Sequence, residues 1–272
     1  MSATQQHDPR DDGHEPERER TPEQSRESGA PDVPVPGKRW GFGAFLLVEA
    51  ILLASAAFVS ALLGPHESGE PVPIPEVLIG TMAPVMIAAG AVLVITRVRG
   101  DGPRHDLGLE WRRDDVRVGL WCGLLGLVLA VLGAFVWTEI VGEDDATSAI
   151  AALVEDQRMS VWAAVAMFVY LWLVGPVCEE LIYRGLLWGA VERLQWKTAR
   201  WGRLAAFLVS TAVFAASHLE PMRTALLLVI AVPIGLARLR TGRLLASIVA
   251  HQVNNFLPAV AILLTSLGIL QV

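Results

Sequence analysis

Three short stretches hold the side chains that could do chemistry. The first is Gly175-Pro176-Val177-Cys178-Glu179-Glu180-Leu181-Ile182-Tyr183-Arg184-Gly185, with two adjacent carboxylates and an arginine. The second, Phe214-Ala215-Ala216-Ser217-His218, ends on a histidine, and the third, His251-Gln252-Val253-Asn254-Asn255, begins with one. A carboxylate and a histidine flanking one water can serve as general base and proton shuttle. A second histidine with an amide can stabilise an oxyanion. Together they make a kit for amide hydrolysis by activated water. The same Glu179, His218 and His251 could instead hold a Zn²⁺, leaving one position for water. Both readings stand on the residues alone.

Spacing divides the work among these groups. On a helix, Glu180 and Arg184 are i,i+4 and share a face, so they can pair. Glu179 is turned about 100° away, toward the face of Tyr183, and is left free for another task. His251 and Asn255 are also i,i+4, and Phe214 lies one turn below His218. The surroundings are apolar on both sides, from Val161 to Val174 and from Leu186 to Ala190. A charge at bilayer depth costs about 2.5–3.5 kcal/mol on insertion scales, so three of them need partners or a cavity. The competing reading is that each polar group makes only a packing bond between helices, worth about 0.6 kcal/mol on average.

The elements that must position these groups are membrane spans. The chain is 53% hydrophobic and 18% charged, with a mean hydropathy of +0.46. Apolar runs cover Trp40–Leu63, Val77–Thr96, Val116–Val141, Val161–Ala190 with its charged interruption, Leu204–Ser217, Ala225–Leu236 and Leu244–Leu270. A span needs about 20 such residues. The expected fold is therefore all-α, a polytopic bundle of seven spans, or eight if the last run splits at Pro258. The fourth run is too long to cross straight and is expected to tilt, protrude or break, with Gly175-Pro176 as the natural kink. Residues 1–38 are polar, hold His7 and His14, and are read as a disordered cytoplasmic tail. Residues 39–142 are read as N-terminal transmembrane helices and 159–272 as the functional bundle. Cys122 and Cys178 give neither a disulfide framework nor a CxxC metal site. His66 and His105 fall in loops and are read as solvated.

Loop charge orients the bundle. Lys38 and Arg39 precede the first span. Arg97, Arg99, Arg104, Arg112, Arg113 and Arg117 surround the second link. Arg193, Lys197, Arg200 and Arg203 follow the fourth span, and Arg238, Arg240 and Arg243 the sixth. The alternate loops carry Glu67, Glu70, Glu76, Glu143, Asp144, Asp145, Glu155, Asp156 and Glu220, with Arg158 and Arg223 as their basic residues. Basic loops face the cytoplasm, so the N-terminus is expected there. At about 1.5 Å per residue, Glu179 and His218 lie about 21 Å from the basic ends of their runs, His251 about 12 Å and Asn255 about 18 Å. Polar groups from three helices thus meet at comparable depth. Glu49, in the first span, is a further buried acid that could pair with Arg184 or line a cavity.

Other intramembrane hydrolases leave marks that are missing here. The sequence has no H-E-x-x-H, no serine in a G-x-S-x-G elbow, and no pair of transmembrane aspartates. What it has, Glu179-Glu180-x-x-x-Arg184, then Phe214-x-x-x-His218, then His251-x-x-x-Asn255, resembles the CAAX protease and bacteriocin-processing (Abi) family of intramembrane proteases. The motifs come in the family's order, one per helix, and Gly185 and Thr241-Gly242 fit as well. The resemblance covers roughly Val161 to Pro258. It implies a helical bundle with a cytoplasm-facing catalytic cavity. Glu179 would activate water with His218, His251 and Asn255 would form the oxyanion site, and Glu180 with Arg184 would hold their helix in place. It also implies a membrane protein, peptide or lipidated tail as substrate, the lipid bilayer as surroundings, no nucleic acid, and either a divalent metal such as zinc or none. Eukaryotic members trim prenylated tails, and bacterial members include bacteriocin maturation and self-immunity proteins.

Two readings from other classes stand beside the enzyme. One is a non-enzymatic immunity or scaffold protein whose polar cluster fixes helix packing. The other is an ion- or proton-coupled transporter, which would carry a repeated half-helix motif that the sequence lacks.

Overall fold

The computed structural model describes residues 40–65, 71–154 and 157–270. The tail 1–38 with its histidines, and His66, Glu67, Glu70, Glu155 and Asp156, lie outside the described residues. Seven long helices follow one another: α1 Phe42–Leu63, α2 Ile74–Arg99, α3 Arg113–Val141, α4 Val161–Glu192, α5 Ala199–Ser217, α6 Thr224–Thr241 and α7 Leu244–Ser266. No strand occurs among the described residues. All of these except α5 are long and apolar enough to cross a membrane. The run at Leu204–Ser217 lies in α5, a 19-residue helix whose first turns carry Arg200 and Arg203. The last run is one continuous helix through Pro258. Large apolar side chains such as Leu53, Phe58, Leu125, Leu132 and Phe135 point outward, as a lipid-facing surface requires.

α4 is the axis. Every residue from Glu180 to Trp188 is buried, with α1, α2, α5 and α7 packed around that segment. α4 stays helical through Gly175-Pro176. Pro176 lacks an N–H and crowds the preceding turn, and the helix absorbs this by widening over Tyr170–Val174 into a π turn. There the Gly175 N–H donates to the Tyr170 carbonyl, five residues back. A second wide turn spans Leu181–Leu187. The motif segment Gly175–Glu180 is thus an α-helical piece between two π turns, which occur often at functional sites.

α3 docks on α6 and α7 through glycines. A Cβ added at Gly119 would lie 2.7 Å from the Ala246 carbonyl oxygen, and one at Gly123 would lie 2.6 Å from Val253 Cβ. Gly119 and Gly123 form a G-x-x-x-G seam, which lets two backbones approach closely in a membrane. Next to this seam, α6 turns sharply into α7. Gly242 has φ +69, a left-handed conformation open to glycine at little cost, and its N–H donates to the Arg238 carbonyl at 2.7 Å. The Thr241 hydroxyl donates to the Ala237 carbonyl at 2.9 Å and accepts the Arg243 N–H at 3.2 Å. The turn fixes the register with which α7 presents His251.

Interloop contacts divide the bundle into two ends. At one end, Trp40 Nε1 donates to Asp106 Oδ2 at 3.0 Å, and the Arg193 guanidinium stacks 3.2 Å from the centroid of the Trp40 ring. Burial lowers the pKa of Arg193, against the opposing pull of Asp106. Asp115 accepts from Arg243 at 2.6 and 2.7 Å, and the Leu244 N–H donates to Gly108 at 3.0 Å. At the other end, Trp137 Nε1 donates to the Met222 carbonyl at 2.8 Å, the Ala149 N–H to Glu220 at 2.8 Å, and the Met159 N–H to Ser266 at 2.9 Å.

The glycine seam gives a direct test. Gly123→Ile overpacks it and is expected to lower stability by about 1–3 kcal/mol. Gly80→Ala, where a Cβ meets nothing within 4 Å, does not lower it and raises it by up to about 1 kcal/mol through helix propensity. Thermal unfolding of the two variants in detergent checks this.

Candidate active site

Glu180 has 0% exposure, and one of its oxygens does two jobs. Oε1 accepts from Arg184 NH1 at 3.0 Å and meets His251 Nδ1 at 3.0 Å. The first contact is the expected i,i+4 pair. The second reaches across to α7. Arg184, also at 0% exposure, lies 4.2 Å from the centroid of the Phe214 ring and donates to the Ala231 carbonyl of α6 at 3.4 Å. Four helices therefore meet on one buried ion pair.

The two histidines are fixed by their hydrogen bonds. His218 caps α5, and its Nδ1 lies 2.8 Å from the Phe214 carbonyl oxygen. A carbonyl only accepts, so Nδ1 carries the proton and Nε2 is the basic nitrogen. Directly after it, Leu219 takes φ 55, an unfavourable conformation for a bulky residue. Such strain clusters at functional sites. His251 Nδ1 likewise carries a proton toward Glu180. Its Nε2 lies 3.7 Å from Glu179 Oε2, so His251 stands between the two carboxylates. Phe214 sets its edge against both rings, with centroids 4.8 Å from His218 and 5.5 Å from His251.

Glu179, His218, His251 and Asn255 all line one cavity of about 500 Å³. Glu179 is the partly exposed member of the carboxylate pair, at 24% against 0% for Glu180. The Asn255 amide donates to the Leu171 carbonyl at 3.3 Å, so part of its donor capacity is used by α4. Asn254 was not singled out from the sequence. It is 4% exposed, lines the same cavity, and its Oδ1 is buried without a hydrogen-bond partner. Its i,i+3 spacing from His251 was the available signal. Glu49 faces the Tyr183 hydroxyl and does not pair with Arg184.

The ligand atoms of Glu179, His218 and His251 are not gathered around one point in this structure. Ligand atoms around zinc sit about 2.0–2.2 Å from the ion, which brings them close to one another. Among the described residues, the group with ligand atoms within 4.8 Å of one another is Asp101, His105 and Asp106, not Glu179, His218 and His251. In the latter set, both Nδ1 atoms are engaged by protein, which leaves Nε2 of each histidine as the nitrogen that could ligate, the usual arrangement of metal-binding histidines. The Asp101–His105–Asp106 group lies at the opposite end of the bundle, beside Trp40.

Residues 161–257 match the family model Rce1-like: Type II CAAX prenyl endopeptidase Rce1-like. This segment is similar to that family's domain. The match begins with α4 and ends inside α7, so all three motifs fall within it. Comparison with curated proteins and with solved structures finds no match. The Rce1-like match agrees with the resemblance to CAAX proteases carried by the motifs.

The cavity opens at one end of the bundle. It runs from Glu179 and His251 to Ser148, Leu153, Glu220 and Arg223, at the end of the bundle that carries the acidic loops. No residue of the basic loops lines it. A cytoplasm-facing cavity and cytoplasmic basic loops therefore cannot both hold.

Arg184→Ala is expected to lower stability by roughly 3–5 kcal/mol, because it leaves a buried carboxylate without its cation. Unfolding of the purified variant in detergent measures the loss.

Proposed function

We propose that this chain is an intramembrane endopeptidase that hydrolyses a peptide bond of a membrane-associated substrate with water activated by Glu179 and His218. One observation carries the reading: Glu179, His218, His251 and Asn255 reach a single cavity inside an apolar bundle. The Rce1-like match over 161–257 supports the reaction class.

The steps follow from the protons on each group. A water held between Glu179 and His218 Nε2 gives up a proton as its oxygen bonds to the scissile carbonyl carbon. The carbonyl oxygen gains the negative charge. His251, with Nδ1–H on Glu180, donates Nε2–H to that oxygen in its imidazolium form. Asn254 and Asn255 supply further polar contacts at the same wall. The C–N bond then breaks, and the leaving nitrogen takes the proton held by Glu179 and His218. Glu180 and Arg184 never touch substrate; they position His251 and α4. No step is routed through a metal.

The helices of 39–142 act as supporting wall for the catalytic bundle of 159–272, with α3 closing one side of the cavity. The N-terminus lies on the cytoplasmic side of the cell membrane, on the charge asymmetry of the loops.

Glu179→Gln keeps size and hydrogen bonding but removes the base. Activity is expected to fall roughly 10²–10⁴-fold. The test compares new peptide N-termini in membranes of cells holding either variant at equal level. Termini lost with Glu179→Gln establish the protease and name its substrates. Identical profiles, with the mutant rescuing a deletion, would make the cluster structural and favour a scaffold or immunity protein.

A further inference from the structure

We propose that the substrate is a peptide segment presented on the non-cytoplasmic side of the membrane, which reaches Glu179 through the end of the bundle bearing the acidic loops. The inference rests on the proteolytic reading for its substrate, but its geometry stands apart from it.

The first observation is the direction of the cavity. From Glu179 it passes Leu171, Ile230 and Ile262 and ends at Ser148, Glu220 and Arg223. The walls are apolar and the rim is polar, with Arg223 and Glu220 paired there. His218 lies at the C-terminal end of 19-residue α5, about 28 Å from that helix's basic start. It is placed to meet a substrate arriving from this rim.

The second observation is that the opposite end is shut. Trp40, Asp106 and Arg193 clamp the last turn of α4, and a Cβ at Gly189 would lie 2.9 Å from the Trp40 ring. Beneath the clamp lies Trp188, 2% exposed, and then the buried Glu180–Arg184 pair. The Asp115–Arg243 bridge closes the α3–α7 side. A peptide coming from this end would have to break three polar clusters.

The third observation is charge. The clamped end carries the arginine-rich loops and the open end the acidic ones. Basic loops stay in the cytoplasm, so the open end faces away from it. A cytoplasmic lipidated tail would meet the closed end. An exported peptide, or the outward end of a membrane-anchored one, would meet the open end.

Site accessibility tests this in the full chain, with Cys122→Ala and Cys178→Ala removing the native thiols. Single cysteines are placed at Ser148→Cys on the rim, Ser217→Cys inside the cavity and Lys197→Cys on a basic loop. Bacterial spheroplasts are treated with a small membrane-impermeant maleimide before and after lysis. The expected result is labelling of positions 148 and 217 in intact spheroplasts at least tenfold faster than position 197, which reacts only after lysis. Labelling of 197 from outside, or of 217 only after lysis, overturns the proposal. Should the thiol-free chain fail to accumulate, alkaline phosphatase fused after Val272 reads the same orientation in the native sequence. An active reporter supports the proposal, and an inactive one overturns it. None of these readouts needs cleavage. If Glu179→Gln leaves the peptide profile unchanged, the proteolytic reading fails while the accessibility result stands, and the reverse holds equally.

Discussion

A carboxylate with no exposure, in the middle of a helix long enough to cross a membrane, sets the terms for everything around it. Glu180 would be costly there alone. Arg184 one turn on supplies the charge, and His251 supplies a second bond to the same oxygen. Neutralising the carboxylate this way leaves Arg184 to be housed, which Phe214 and the Ala231 carbonyl accomplish. The pair therefore ties α4 to α5, α6 and α7 at one depth. Buried ion pairs are poor sources of net stability, but losing one partner is expensive. Such a pair resists any packing in which those four helices slip past one another.

From that constraint the division of labour between two neighbouring acids follows. Glu180 faces the protein and holds an imidazole by Nδ1. Glu179, about 100° round the helix, faces the cavity and meets the same imidazole from Nε2 at 3.7 Å. One histidine is thus oriented by the first carboxylate and available to chemistry beside the second. His218 is fixed independently, by a carbonyl of its own helix. The polar groups come from separate helices, yet Phe214 touches both histidines and Arg184, so their positions are coupled through one ring.

Much of this was legible in the sequence where the interactions are local. The Glu180–Arg184 pair, the separate face of Glu179, and the placement of Phe214 under His218 all follow from helical spacing, and the structure has them. The bond from Glu180 to His251 spans 71 positions, and periodicity carries no information about such a partner. The wide turns at Tyr170–Val174 and Leu181–Leu187 were also hidden. Gly175-Pro176 reads as a kink because proline removes a bond, but nothing local tells that the helix stays continuous and widens over Tyr170–Val174. Asn254 lies i,i+3 from His251, a spacing that permits a shared face but does not tell that its side chain reaches the cavity. The glycines of α3 could be counted in the sequence, while their role as a docking seam required knowing what lies opposite them. Loop charge marked the two ends of the bundle, but the end from which the cavity opens depends on which loops pack and which part.

The central claim is that Glu180 is held for structure and Glu179 is held for chemistry. The most direct measurement is the unfolding free energy of Glu179→Gln and Glu180→Gln, purified side by side in the same detergent. Glu179→Gln should match the native chain within about 0.5 kcal/mol, as a substitution at a cavity wall does. Glu180→Gln should lose roughly 3–5 kcal/mol, because Arg184 is left buried without its charge partner. Equal losses, or a larger loss at Glu179, would contradict the account.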